Sequence, residues 1–337
     1  MAKMDIAIDL GTSFTSIFVS GNGIVLHEPS VIAYYDNGGR RNLRAVGSEA
    51  YFMLGKSPEK TKVVCPIVDG VIKDRDACAV MLGEFVKKIL PESYLFKPSI
   101  RAVLGVPTGL SVDERKMYED VLMRSGVDDV TMINNIMLSA IGIELPVTSA
   151  FGGIVASIGG GGTEIGVIGL SGIVTGCSIN VGGDMIDRAL MDRICGKNKL
   201  SLGKASVRNL KERIASLIRN DCAAVTVSGI DMDTKNIRTQ TLSADELYGT
   251  VYDYYASIIE AVAKVINSCS PAVAAEIYKN GINVVGGGAK IPGLANIMSA
   301  GLGIRVNVSL SPEFAAVSGG GKLLSDGVLL DEIERHQ

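Results

Sequence analysis

Three stretches of this sequence are built to hold an anion: Asp9-Leu10-Gly11-Thr12-Ser13-Phe14, Gly159-Gly160-Gly161-Gly162 and Gly286-Gly287-Gly288-Ala289. Consecutive glycines after a strand let backbone N–H groups approach negative oxygen with no Cβ in the way. Forty of the 337 residues are glycine, above the usual ~7%, and they are clustered, with further runs at Gly182-Gly183 and Gly319-Gly320-Gly321. Taken singly, each run also reads as a tight turn between packed strands. The common phosphate motifs fail. For G-x-x-x-x-G-K-[ST], Gly321-Lys322 has Ala316 at the first glycine position and Leu323 after the lysine. For G-x-G-x-x-G, Glu164 or Ile165 takes the last position at the 159–162 run.

The elements that must position these stretches repeat. Asp9 to Val19 followed by Gly23-Ile24-Val25 has the same plan as Ser157 to Val167 followed by Gly172-Ile173-Val174. Each is a strand, a polar glycine turn, an alternating strand, a short turn and another strand. Two such hairpins 148 residues apart (Asp9 to Ser157) predict a duplicated α/β unit with a phosphate held between the hairpins. Between them the spacing predicts helices over 111–125, with a Ser111/Glu114 capping box and a stop at Gly126, and over 243–267, with a Ser243/Glu246 box. On the latter, Leu247, Val251, Tyr254, Ile258, Val262 and Val265 share one face. A third helix, 206–218, puts Val207, Leu210, Ile214 and Leu217 on one face and Arg208 and Lys211 on the other.

Composition closes off other chemistries. With 33 Lys+Arg against 36 Asp+Glu, a net charge of -3 and no basic block, no nucleic-acid partner is expected. Two histidines and six cysteines without a CxxC pair argue against zinc, a disulfide framework or a His-based triad, and suggest buried free thiols in a reducing compartment. No apolar run reaches the ~18 residues of a membrane span, and residues 1–8 are too short for a signal peptide, so a cytoplasmic protein is expected.

The ordered series Ile8 to Thr12, Gly23 to Val31, Asp69-Gly70-Val71-Ile72, Gly105-Val106-Pro107-Thr108-Gly109, Ile158 to Glu164, Gly182-Gly183-Asp184 and Gly286 to Ala289 resembles the MreB-type bacterial actins nearly end to end. These belong to the superfamily of actins, heat-shock chaperones and sugar kinases, and the 23–31 run favours the MreB branch. The resemblance implies an α/β, actin-like (ribonuclease H-like) duplicated two-lobe ATPase fold with four subdomains. Lobe I would cover 1–145 with a small subdomain near 33–75. Lobe II would cover 146–337 with a small subdomain near 179–243, and the segment from about 306 would pack back on lobe I.

It also implies a site for ATP or GTP with magnesium. Phosphate contacts carry over to Thr12, Ser13 and Phe14 and to Gly159 through Gly162, with Gly183 and Asp184 beside them. Arg208, Asn209, Leu210 and Lys211 would meet the ribose or base, and Gly286, Gly287, Gly288 and Ala289 the adenosine side. Asp9 would hold hydrated magnesium. Four positions depart from the family pattern: Phe14 replaces a polar Asn, Arg208 an acidic ribose contact, Ser157 the Asp leading the second hairpin, and Asn135 the water-orienting Glu. Magnesium favours anionic oxygen, and losing an acid or base that handles the attacking water costs about 10²–10⁴ in rate. Bound nucleotide with impaired hydrolysis is expected, with Glu164, Asp184 or a rearranged water as the groups left to substitute.

Family members polymerise head to tail, which implies filaments of this chain and a role in cell shape. A hydrolysis-impaired subunit also suits copolymerisation with an active paralogue. An exposed family loop that dips into lipid is matched by Tyr94, Leu95 and Phe96 beside Lys97, which implies contact with the inner face of the cell membrane. A small-molecule kinase or a chaperone- or reactivase-like ATPase of the same fold is the alternative. Nothing resembles an inserted acceptor domain or leaves room for a peptide-binding one.

Overall fold

The computed structural model describes residues 3–37, 40–56, 60–90 and 98–336. Two five-stranded sheets have the same topology. In the first, the strands Lys3–Leu10, Phe14–Val19 and Gly23–Pro29 form an antiparallel meander, and Ser99–Val106 and then Asp129–Asn134 add in parallel beside Lys3–Leu10. In the second, Gly153–Ile158, Thr163–Gly169 and Gly172–Ile179 form the meander, with Ile282–Val285 and Val306–Val308 in parallel beside Gly153–Ile158. Each meander carries one register shift between its second and third strands, at Ile17/Phe18 and at Val167/Ile168. The duplication expected from the repeated pattern is thus present strand for strand.

Each half also carries a three-stranded sheet: Ile32–Asn37, Arg40–Val46 and Thr61–Val64 in the first, and Leu200–Ser201, Ala224–Asp231 and Ile237–Ser243 in the second. Separate apolar cores fill the halves, one around Ile6, Phe85 and Leu104, the other around Ile154, Leu210 and Val251. A third core joins them through Ala7, Met137, Val155, Val285 and Leu323. Its middle is the contact between helices Asn135–Gly142 and Ala315–Ser325. Gly319-Gly320-Gly321, grouped at first with the candidate turns, lies inside the second of these helices. A Cβ there would strike the Leu138 carbonyl from Gly319, Ala7 from Gly320 or the Phe18 ring from Gly321. These glycines let a helix press against another helix and a sheet.

The capped helices form as their local signals require. Val112–Ser125 starts at the reciprocal Ser111/Glu114 box and ends at Gly126 with φ 99. Ala244–Ser268 starts at the Ser243/Glu246 box, and on its inner face Tyr255, not Tyr254, is the fully buried ring. The third helix is shorter than expected, Lys204–Ile214: Ala215 turns extended, and Leu217 is buried beyond the helix with its N–H donating to Pro292 O at 2.9 Å. The six cysteines are all free, but only Cys78 is buried and Cys222 is exposed, which corrects the expectation of uniformly buried thiols. Among the described residues no helix is long and apolar enough to cross a membrane.

Candidate functional site

The two glycine hairpins meet tip to tip. In the first, the turn closes with Gly11 N–H donating to Phe14 O at 3.1 Å, and Ser30 Oγ donates to Gly11 O at 2.6 Å. Thr12 Oγ1 accepts from Gly70 N–H at 2.9 Å, tying the tip to the Asp69-Gly70 turn. Opposite, a Cβ on Gly160 would strike Ser13 Oγ, and one on Gly161 would strike Thr12 Oγ1 and, at 2.5 Å, Gly70 N. The second tip therefore has glycine where the first presents hydroxyls. Behind it, helix Gly183–Asn198 docks its first turn onto the hairpin: Gly183 N–H donates to Gly159 O at 3.0 Å and Asp184 N–H to Gly160 O at 2.9 Å.

The floor lies at the carboxyl ends of parallel strands, where open α/β sheets bind ligands. Asp9 pairs in register with Gly105, and Asn135 begins a helix directly after strand Asp129–Asn134. Surrounding protein desolvates Asp9 and pushes its pKa up to about 6. Glu164 reaches across from the second sheet, its Oε1 accepting from Thr108 N–H at 3.0 Å. Burial pushes its pKa up to about 7, with the Asp9 charge adding to the rise and the hydrogen bonds from Thr108 and Ser178 opposing it. Asn135 Oδ1 is buried without a hydrogen-bond partner, against Gly105. An orphaned acceptor at such a place fits a donor supplied by a ligand or its water. Two carboxylates, an amide oxygen and the Ser157 hydroxyl form an all-oxygen set, the kind magnesium accepts while keeping several waters. No three His, Cys, Asp or Glu side chains among the described residues form a closed metal cage.

On the far wall Arg208 is buried, bridging Asp184 Oδ1 and, at 3.2 Å, Asp187 Oδ2. Lys211 completes the network, 2.7 Å from Asp187 Oδ1 and donating to Gly183 O at 2.9 Å, while Lys204 lies 3.8 Å from Asp184. Desolvation lowers the Arg208 pKa, but the charges of Asp184 and Asp187 outweigh it, for a net rise. The guanidinium lies 6.0 Å from the Tyr51 ring, which belongs to the other half, and Arg188 reaches Asp69 there at 3.0 Å. Leu210 points into the core of the second half and Asn209 is exposed, so neither side chain belongs to this network.

Gly286 has φ 83, donates its N–H to Pro312 O at 2.7 Å and sits against the Ile158 backbone. Tyr255 holds Gly288 O at 2.6 Å and Ala289 is buried, whereas Gly287 borders open space. Phe14 stacks on His27 at 4.6 Å and 9°, and His27 meets Phe314 edge-on at 5.0 Å. Thr12, Ser13, Gly160 and Gly161 thus converge, Asp9, Asn135 and Glu164 share the floor, and Asp184, Arg208 and Lys211 form the wall. Tyr94, Leu95 and Phe96 lie outside the described residues. Tyr51, Asp187 and Arg188 escaped sequence reasoning, since none lies in a glycine motif, and Asp69 stood in one with no role attached. Thr108 belonged to a recognised motif with no role attached.

Two sheets of one topology, joined by a shared core and closing two glycine hairpins on each other, define the actin-like ATPase fold. Comparison with known structures agrees: MreB5 of Spiroplasma citri, a crystal structure with bound ADP, superposes with a TM-score of 0.89 at 26% identity over 98% of both chains. The MamK double helical filament shares the fold, with a TM-score of 0.80 at 20% identity over 96% of this chain and 99% of that one. The profile described as MreB/Mbl protein matches residues 3–332. Cell shape-determining protein MreB of Escherichia coli K12 is 35% identical over 96% of this chain and 94% of its own. Cell shape-determining protein Mbl of Bacillus subtilis is 32% identical over 99% and 98%. The chain belongs to the MreB/Mbl family.

Proposed function

We propose that this chain is a nucleotide-binding cytoskeletal subunit that assembles into filaments supporting cell shape and hydrolyses its nucleotide slowly. The observation that carries this reading is the cleft itself: two glycine hairpins close on each other over a floor where Asp9 keeps its carboxylate but Ser157 and Asn135 are neutral. Backbone N–H groups of the hairpins hold the phosphates of ATP or GTP, and Asp9 holds magnesium through water. Bound there, magnesium neutralises phosphate charge. Positioning and electrostatics dominate phosphoryl transfer, so a floor with neutral Ser157 and Asn135 retains nucleotide better than it cleaves it. The relatives support assembly, being cell shape-determining proteins and, in MamK, a filament. The filament acts in the cytoplasm at the inner membrane face, held by Tyr94, Leu95 and Phe96, alone or mixed with a hydrolysing paralogue.

The test is pelleting of the purified protein without nucleotide, with magnesium-ATP and with a non-hydrolysable analogue, while phosphate release is followed. The expected result is pelleting with both nucleotides and little phosphate. Brisk release abolished by Asp9→Ala would overturn slow hydrolysis, and no pellet in any condition would overturn self-assembly. Adding liposomes to the wild type and to Leu95→Ser/Phe96→Ser tests the membrane contact, which unchanged co-pelleting removes.

A further inference from the structure

The two hairpins carry the same pair of side chains in exchanged positions. In the first, the acid is on the leading strand and the serine on the second: Asp9 lies directly across from Ser16. In the second, the serine leads and the acid follows: Ser157 lies directly across from Glu164. Directly opposed residues on an antiparallel pair project from the same face with Cβ atoms about 5 Å apart. A carboxylate, that of Glu164, therefore stands one strand over on the face from which Ser157 projects. Glu164 leans out of its own sheet, since its Oε1 takes the Thr108 N–H of the first half at 3.0 Å and its carboxylate feels the charge of Asp9. Asp184, the other acid near this hairpin, is held by Arg208 and Lys204 and is not free to serve.

Resting on the nucleotide reading above, we infer that Glu164 is the second carboxylate of the magnesium site, a positioning residue that orders the ion's water shell in place of the acid absent at Ser157. The Thr108 N–H on Oε1 and the Ser178 hydroxyl together set the carboxylate's direction, and its remaining lone pairs accept from a cation-bound water. Asn135 Oδ1, buried and unpartnered on the same floor, accepts from a second. Ser157 contributes a neutral hydroxyl, so the site keeps two acids rather than falling to one.

Glu164→Gln separates this role from a structural one, because the amide oxygen still accepts from Thr108 N–H while the charge is gone. Binding of a fluorescent ATP analogue is measured in EDTA and across a magnesium titration. The expected variant matches wild type in EDTA but needs about 10-fold or more magnesium to reach wild-type affinity, the usual scale for losing an outer-sphere partner. Adding Ser157→Asp to Glu164→Gln restores the magnesium response. Identical magnesium midpoints in wild type and Glu164→Gln overturn the inference while leaving the nucleotide reading intact. Equal weakening with and without magnesium also overturns it, reducing Glu164 to a tie between the two halves. Wild type that binds no nucleotide removes the reading of the cleft, and this inference with it.

Discussion

The two hairpins began as one element and now do opposite things at their tips. The first presents side chains: Thr12 hydrogen bonds to Gly70 and Ser13 projects toward the second tip. The second presents only backbone, its four glycines leaving the volume those hydroxyls fill. Identical tips would either clash, had both kept side chains, or leave a gap, had both become glycine. Divergence after duplication made them complementary, and the acid–serine exchange between Asp9/Ser16 and Ser157/Glu164 follows the same logic one layer deeper.

The largest expected effect comes from making the tips alike. Gly161→Ala puts a methyl on Thr12 Oγ1 and, at 2.5 Å, on the Gly70 backbone nitrogen. Backbone cannot swing aside, so the strain is relieved by opening the cleft. Overpacking of this kind costs about 3 kcal/mol, which corresponds to about 100-fold in the closed-to-open ratio. Small-angle scattering should show a larger radius of gyration, and affinity for the fluorescent nucleotide should fall by that factor. Gly249→Ala, on helix Ala244–Ser268 away from the cleft, where a Cβ meets nothing within 4 Å, is the matched control and should bind nucleotide as wild type does.

What could be read beforehand was whatever is fixed by neighbours in the chain. Both capping boxes, the Gly126 stop and the hairpin plan depend on groups within a few residues of each other, and they form as written. The ion pairs of Arg208 were not legible because its partners lie on another helix, 24 and 21 residues away at Asp184 and Asp187. The 319–321 glycines were grouped with the turns because glycine for close packing and glycine for a turn look alike in sequence. Leu217 shared the apolar period, yet tertiary contact with Pro292 ended the helix before it. Glu164 was visible as a motif letter, but its place on the floor needed the register.

A smaller effect tests the charge half of the comparison. Asp9 and Glu164 both have carboxyl pKa values raised in the fold, to about 6 and about 7, chiefly by desolvation. A carboxyl raised above its unfolded value contributes stability that is fully present below the unfolded pKa and lost as pH rises through the folded one. The ligand-free protein therefore loses stability between about pH 4 and 7 through this pair, by a few kcal/mol at most. Asp9→Asn removes its own cost and the repulsion that helps raise Glu164. Chemical denaturation at pH 8 should find this variant more stable than wild type by about 2 kcal/mol, with the gap closing toward pH 4. An equal gap at both pH values would mean that the first hairpin's acid is not the strained one.

The smallest effect concerns how each tip is tied to the third strand of its meander. In the second hairpin, Gly162 does this by backbone approach, since a Cβ there would come within 2.8 Å of Ile179 O. The residue at the same place in the first hairpin is Phe14, whose ring does the tying by stacking on His27 of the third strand. Desolvation, first among the causes, lowers the His27 pKa; Lys290 adds to the lowering, and Glu313 and Glu28 oppose it. A depressed imidazole contributes stability at neutral pH that is lost as pH falls through its folded pKa. Phe14→Leu keeps an apolar side chain but removes the ring face, which costs about 1 kcal/mol and lets water reach His27. With only two histidines in the chain, NMR titration resolves His27 directly. Its pKa should rise toward 6.5 in Phe14→Leu. An unmoved His27 would mean that the stack is incidental and that the first tip, like the second, is held by its backbone.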